Sequence, residues 1–599
     1  MNKPLYNSKL VASLFALGSL TLQTSCSDKD FDMSSIDTTI GIGSSEGITL
    51  PTCDTEEIKL DDILELDNSD IIKINENGDY VISKDGEADA SHPSVNVVNI
   101  NESYSNTFDL LLYSTKTSAA PKRSKARRTK ITPVNVSGSI VKFEYTGNNT
   151  KEIVGLTKAK VNSTMTLNVQ TSGVKAIIPT FKTLKLTFPD YMTLNFKKLP
   201  NGVKSEFKNN VLTLENVPTN SDIALEAVIT ELDFTKTPKA DEYLTFDTKQ
   251  NKIDLKGAIN ASVSFDEINT DGLSTTPTDY NLKNKFALGK LTITSATGKF
   301  DPEIDLNELG DTRIDNIPDF LSDGDVKINL HNPMINVEID NDVDLRAFVS
   351  GVIIAKDENG NETARVNVPD MTIKPNSTTK ICICKYANEV DKAKYDEVKE
   401  VANLSSLLTK IPRTITFDAN AKADATREST IDLGVEYSVK PKYSIEAPLA
   451  FDEGAQIVYN DTIDGWSDDL EDIEFGDNTS IELTADVENK VPAALNATAF
   501  AIDRNGKKIS EDRLSVEVVS DIKGSADGTT AVTSTLKAVV KEKQKGTLKD
   551  VDGLAFHVKA ASGEGANAIV GKTINAYKQT LVVKNIKVKV IGTVIADLN

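Results

Sequence analysis

Three histidines, four cysteines and two acid-rich runs are the residues of this 599-residue chain whose types suit chemistry. His92, His331 and His557 are far apart, and none stands in a metal spacing such as HExxH or HxH. His331 precedes Asn332-Pro333 at a strand end, and His557 lies in the alternating run from Leu554 to Val558, the settings of packed or surface strand histidines. No GxSxG elbow, phosphate-binding glycine loop or cysteine with a motif partner occurs. Hydrolytic and transfer chemistry therefore has no motif behind it. A carboxylate pair acting on polysaccharide is the enzymatic alternative that 89 acids leave open. Cys382 and Cys384 flank Ile383 in a strand-like run, so both point to one face and read as small buried hydrophobes.

Calcium is the one cofactor the acids suggest. Asp301 to Asp325 holds nine acids against Arg313 alone, and Asp461 to Asp477 holds eight acids and no base. Calcium takes roughly six to eight oxygens, which loops of this kind can offer, with Asp461, Asp464, Asp468 and Asp469 as candidate ligands. Neither run has the spaced Asp-x-Asp-x-Asp-Gly pattern with its distal Glu, so a solvated acidic face is the plainer reading. Trp466, the single tryptophan, stands between Gly465 and Ser467 as a candidate ligand platform or a hydrophobic plug.

The elements that would position these groups follow a period of two. Met165, Leu167 and Val169 alternate with polar residues, as do Leu184, Leu186 and Phe188, and Ile586, Val588 and Val590. Such runs are half-buried strands. Turn signals separate them at Asn77-Gly78-Asp79, Pro200-Asn201-Gly202, Asn359-Gly360 and Asn505-Gly506. The expected fold is mostly β, in tandem antiparallel β-sandwich or long curved-sheet domains with one connecting helix near 388–410. Val390, Val398, Val401, Leu404, Leu407, Leu408 and Ile411 form that helix's stripe, ended by Pro412. Two long strands are expected, over 253–265 and 431–439. Residues 328–360 and 481–506 share marks: a strand into Asn341 or Asn489, a Val two places on, then an alternating strand closed by Asn-Gly. These marks suggest an internal repeat. The Asn332-Pro333 pair, Asn341 and the closing Val366-Asn367-Val368-Pro369 within 328–375 resemble type-2 late-embryogenesis-abundant (water-stress) domains, which implies a small β-sandwich there.

The first thirty residues give the address. Lys3 and Lys9 precede an apolar run from Leu10 to Leu22, and Thr24 and Ser25 lead into Cys26, a secretory signal over 1–25. Ending at a cysteine after small residues, the segment resembles a bacterial lipobox, which implies lipidation of Cys26 and a membrane partner reached through that lipid. The acidic run Ser27-Asp28-Lys29-Asp30-Phe31-Asp32 resembles the export signal of Bacteroidota-type surface lipoproteins. The Asp461-Thr462-Ile463 and Asp37-Thr38-Thr39 triplets are similar to O-glycosylation sites of that bacterial group. The chain then divides into an acidic tether over 26–48, an N-terminal β region over 49–130, β domains over 131–270 and 271–445, and a C-terminal β domain over 446–599. Residues 119–130 are basic without an acid, a solvated, protease-sensitive loop. Arg127 and Arg128 are candidate processing sites there, an arrangement that resembles fimbrial lipoprotein precursors cut at arginine.

A net charge of −22 disfavours nucleic acid and anionic headgroups as partners. The expected function is a non-enzymatic outer-membrane lipoprotein, exposed at the cell surface, serving as an adhesion, scaffold or fimbria-like component for a protein or surface-polymer partner. The alternatives are a carrier of lipid or another apolar ligand, and a polysaccharide-acting enzyme.

Overall fold

The computed structural model describes residues 39–51, 57–60, 69, 71–116, 128–306, 311–315, 321, 325–465, 473–476 and 479–597. Three long strands come from the N-terminal region, β1 (Thr39–Pro51), β2 (Tyr80–Glu87) and β3 (Tyr104–Ser114), with shorter ones at Ile58–Lys59, Ile72–Ile74 and Val98–Asn101. Three sets of seven strands frame the rest, with further strands such as Met192–Lys198 and Leu291–Phe300 added to them. The first holds β4 (Thr129–Asn148), β5 (Ile153–Gln170), β6 (Thr180–Thr187), β7 (Val211–Pro218), β8 (Ile223–Asp233), β9 (Lys252–Ile268) and β10 (Asp279–Leu288). The second holds β11 (Asp311–Arg313), β12 (Met334–Asn341), β13 (Ala347–Lys356), β14 (Glu362–Ile373), β15 (Ser377–Cys384), β16 (Thr414–Ala423) and β17 (Val439–Pro448). The third holds β18 (Gln456–Ile463), β19 (Ser480–Asn489), β20 (Ala494–Ile502), β21 (Leu514–Ser520), β22 (Val532–Glu542), β23 (Gly553–Ala561) and β24 (Thr580–Asp597).

The three sets are copies of one antiparallel sandwich. One sheet of each runs β3-β10-β5-β8, β2-β17-β12-β15 or β1-β24-β19-β22. The facing sheet runs β4-β9-β6-β7, β11-β16-β13-β14 or β18-β23-β20. In the third copy β21 leaves the position of β7 and β14 to pair with β22. The N-terminal strands enter in inverse order, β1 beside the last copy, β2 beside the middle one and β3 beside the first. The described parts of 39–114 thus form a strap that lends one long strand and one shorter strand to each sandwich before the chain returns through all three. Sheets draw on strands from both sides of the expected domain boundaries, and β1 begins inside the stretch read as a tether.

Alternation explains the strands. Along β5, Val161, Met165, Leu167 and Val169 face the core while Lys160, Thr164 and Thr166 face water. Each central strand ends at a buried polar anchor. Asn341 donates through Nδ2 to Leu345 O at 2.9 Å and Lys374 O at 2.8 Å, while its Oδ1 accepts from Val343 N. Asn489 repeats the set with Ala493 O, Lys523 O and Val491 N. In the first sandwich Thr171 takes this place, its hydroxyl donating to Ser221 O just before β8. The hairpins at Asn75, Asp357 and Asp503 are also alike: that side chain accepts two main-chain N–H groups, and Gly78, Gly360 and Gly506 supply the positive φ.

Two expectations need correction. Residues 388–410 form no α-helix; they hold 3-10 turns at Lys392–Lys394 and Leu404–Leu408 around a strand, Glu397–Glu400, that pairs in parallel with β15. β-branched Val398 and Val401 suit the ladder, and Asp391 caps a turn there through its side chain. Nor is 431–439 one strand. The pairing ends at Asp432, and Gly434, at φ +75°, turns the chain before Val439 opens β17. The expected strand over 253–265 lies within β9.

Candidate functional site

Cys26, Arg127, Trp466, Asp468 and Asp469 lie outside the described residues. Arg128 stands exposed just before β4, its guanidinium 3.9 Å from Glu267. Asp461 sits in β18 opposite Phe556, and Asp464 lies exposed past the end of that strand. Among the described residues no group of three or more His, Cys, Asp or Glu is placed to hold a metal ion.

His92, exposed on a connecting segment, contacts Tyr437 O at 3.1 Å, and His557, half-buried on β23, contacts Asn460 Oδ1 at 2.6 Å. Cys382 and Cys384 are buried on β15, as their spacing predicts. Burial, helped by the neighbouring Cys384, pushes the Cys382 thiol up to about 12. Such a thiol is a packing group and not a nucleophile.

His331 is different. Its Nδ1 lies 3.1 Å from Asp452 Oδ1 and its Nε2 lies 3.1 Å from Glu389 Oε1. The Tyr386 ring sits 4.8 Å from the imidazole, and Lys385 Nζ bonds Asp452 Oδ2. Burial by itself would raise the Asp452 carboxyl; hydrogen bonds and charge from Lys385 and His331 outweigh it and hold the group below the usual range. The Asn332-Pro333 mark organises the neighbourhood. Asn332 Oδ1 accepts from the main chain of Lys385 and Tyr386 at 3.0 and 2.9 Å, and its Nδ2 donates to Tyr386 O. Partners 121 and 58 residues from His331 carry no local signal, so sequence reading missed the cluster. The ring holds its two acids on opposite sides, an arrangement suited to tying segments together.

Concavity appears elsewhere. Between the sheets of the second sandwich lies an apolar cavity of about 60 Å³, lined by residues including Ile339, Val349, Ile353, Met371, Ile383 and Phe417. Thr312 of β11 and Tyr443 of β17 line it from opposite sheets, and their hydroxyls hydrogen-bond across the gap. The edge strand here is the shortest of its kind: β11 has 3 residues, where its counterparts β4 and β18 have 20 and 8. Gly86 on β2 lies opposite Tyr443, and a Cβ there would meet the Tyr443 ring.

No family model and no curated protein matches the chain. Among solved structures, a protein of Parabacteroides distasonis ATCC 8503 provisionally described as secreted is similar over 49% of this chain and 89% of its own, at 15% identity. The TM-score is 0.30, a likeness too slight to argue from.

Proposed function

We propose that this chain is a non-enzymatic lipoprotein of the outer membrane, anchored by lipid on Cys26 and displayed at the cell surface as a scaffold or adhesion component. The observation that carries the reading is the strap. A segment hydrogen-bonded into three successive sandwiches restrains each relative to the next, which suits a spacer that holds a binding face away from a membrane. The partner is a protein or a surface polymer met by an acidic surface. The export signature of Cys26 and the acidic run behind it supports the location. Protease shaving of intact cells tests this: release of peptides from the three sandwiches is expected, and cleavage only after lysis would overturn surface display.

A second reading, a carrier of an apolar ligand, is favoured by the cavity of the middle sandwich. Its size decides how far that reading goes. An apolar space of about 60 Å³ is smaller than the ~150 Å³ that admits benzene, so it takes the last few carbons of an alkyl chain and not a whole lipid. Lipid co-purifying with the wild type but not with Val349→Leu would support it. A clean organic extract of both would remove it.

A further inference from the structure

The His331 cluster stands at the joint between the second and third sandwiches. His331 precedes β12, and Asp452 follows β17 on the connection to β18. That connection is fixed to the third sandwich by Ser562 Oγ donating to Asp452 O at 2.6 Å, Gly454 N to Gly563 O at 3.0 Å and Gly571 N to Phe451 O at 3.0 Å. Gly571 also brings bare main chain against the imidazole, where a Cβ would stand 3.0 Å from Nε2.

A neutral imidazole carries one N–H. Whichever nitrogen holds it, the other would aim a lone pair at a carboxylate oxygen 3.1 Å away. Both contacts are hydrogen bonds only when the ring is an imidazolium. The other groups facing it do not relieve this. Lys385 bonds Asp452 Oδ2, and the Tyr386 hydroxyl lies 3.3 Å from the same oxygen. Asn332 Nδ2 donates to Glu389 Oε2 at 3.3 Å. Glu453 is turned onto Gly565 N, and Lys572, next to Gly571, is exposed. A deprotonated ring therefore turns a lone pair on one of the two acids, and with Asp452 fixed by Lys385 and by its own main-chain contacts, relief comes from movement of Glu389.

We infer that His331 is a proton-operated clamp: as an imidazolium it ties the 385–396 loop to the connection between the second and third sandwiches, and loss of the proton releases Glu389 and loosens that loop. Glu389 is the partner that leaves, because its side chain is 43% exposed while that of Asp452 is 13% exposed.

The test is hydrogen–deuterium exchange of the full chain at about pH 5 and pH 8, the span over which histidine changes charge, corrected for the chemical exchange rate. Peptides over 385–396 are expected to exchange roughly tenfold faster at the higher pH, the loss of one charge-assisted hydrogen bond. His331→Gln should abolish this step. Glu389→Gln, an exposed change whose amide donates to a neutral ring, should hold the loop equally at both pH values. No step in the wild type, or a step that persists in either variant, would overturn the clamp. If His331→Gln does not fold, Glu389→Gln decides alone.

Discussion

Cutting the chain between β3 and β4 asks whether the strap is held by its sheets or by its covalent link. Arg128 has a 65% exposed side chain and follows the basic run, so limited trypsin should cleave at Arg127 or Arg128 and leave β1, β2 and β3 on a separate polypeptide. The cleavage alters connectivity and no packing. A short covalent link between β3 and β4 provides an effective concentration of about 1 mM, so at ~10 μM protein the cut weakens strap binding about a hundredfold, or about 2.7 kcal/mol. Against this stand Ile71, Tyr80, Ile82, Val98, Ile100 and Leu112, each no more than 3% exposed. At ~1.5–3 kcal/mol apiece they contribute roughly 9–18 kcal/mol of gross burial, and three strand ladders of 10, 7 and 10 residue pairs add to it. The nicked protein should therefore run as two bands in denaturing gels and as one species in native size exclusion. Its urea midpoint should fall and become dependent on concentration. Separation of the N-terminal fragment at micromolar protein in native buffer would refute the reasoning, since the strap would then owe its place to the loop.

Four further outcomes follow from single sites. Asn489→Ala leaves Ala493 O, Lys523 O and Val491 N without their partner, at ~1–3 kcal/mol for each group that water cannot reach, so urea unfolding should show a loss of at least ~2 kcal/mol; Asn341→Ala should behave alike. Asp424 is held down to about 2 by hydrogen bonds from Thr426 and Arg346, so its contribution is complete above its ordinary range near ~3.9 and is lost as pH falls through about 2. Thermal melts of wild type and Asp424→Asn should accordingly differ above about pH 4 and converge towards pH 2. Alkylation followed by peptide mapping at about pH 8 should leave Cys382 unmodified until the chain is unfolded, and modification in the native state would contradict its burial. Filling the cavity recovers part of the about 1.4 kcal/mol that 60 Å³ costs, so Val349→Leu should raise the unfolding free energy by up to about 0.8 kcal/mol, one methylene's worth.

The difference between what these residues disclose in sequence and what only the fold discloses is one of range. Period-two alternation is a property of neighbours, so β5, β6 and β24 could be read directly, as could the glycine turns after Asn77, Asn359 and Asn505. The kinship of the second and third sandwiches was visible because Asn341 and Asn489 do the same work, each two places before a valine and ahead of an alternating strand closed by Asn-Gly. The first copy was not, because Thr171 answers the same need, a donor to the carbonyl before the next strand, with a different residue. The apolar spacing of 388–410 misled because residues three and four apart suit an α-helix and a succession of 3-10 turns alike; β-branched Val398 beside Cys382 settles the matter through a ladder that local pattern cannot contain. The strap lies further out of reach, since a strand completing a sheet from hundreds of residues away needs only alternation, which every other strand also has. His331 shows the same rule at a site. The Asn332-Pro333 mark beside it was legible as a structural feature, and Asn332 does arrange the loop that carries Glu389. What gives the ring its role is the second carboxylate, Asp452, delivered by the connection to another sandwich. A histidine with one acid is a common strand residue; a histidine between two acids from different segments is a constraint on its own proton, and only the repeat's threading brings them together.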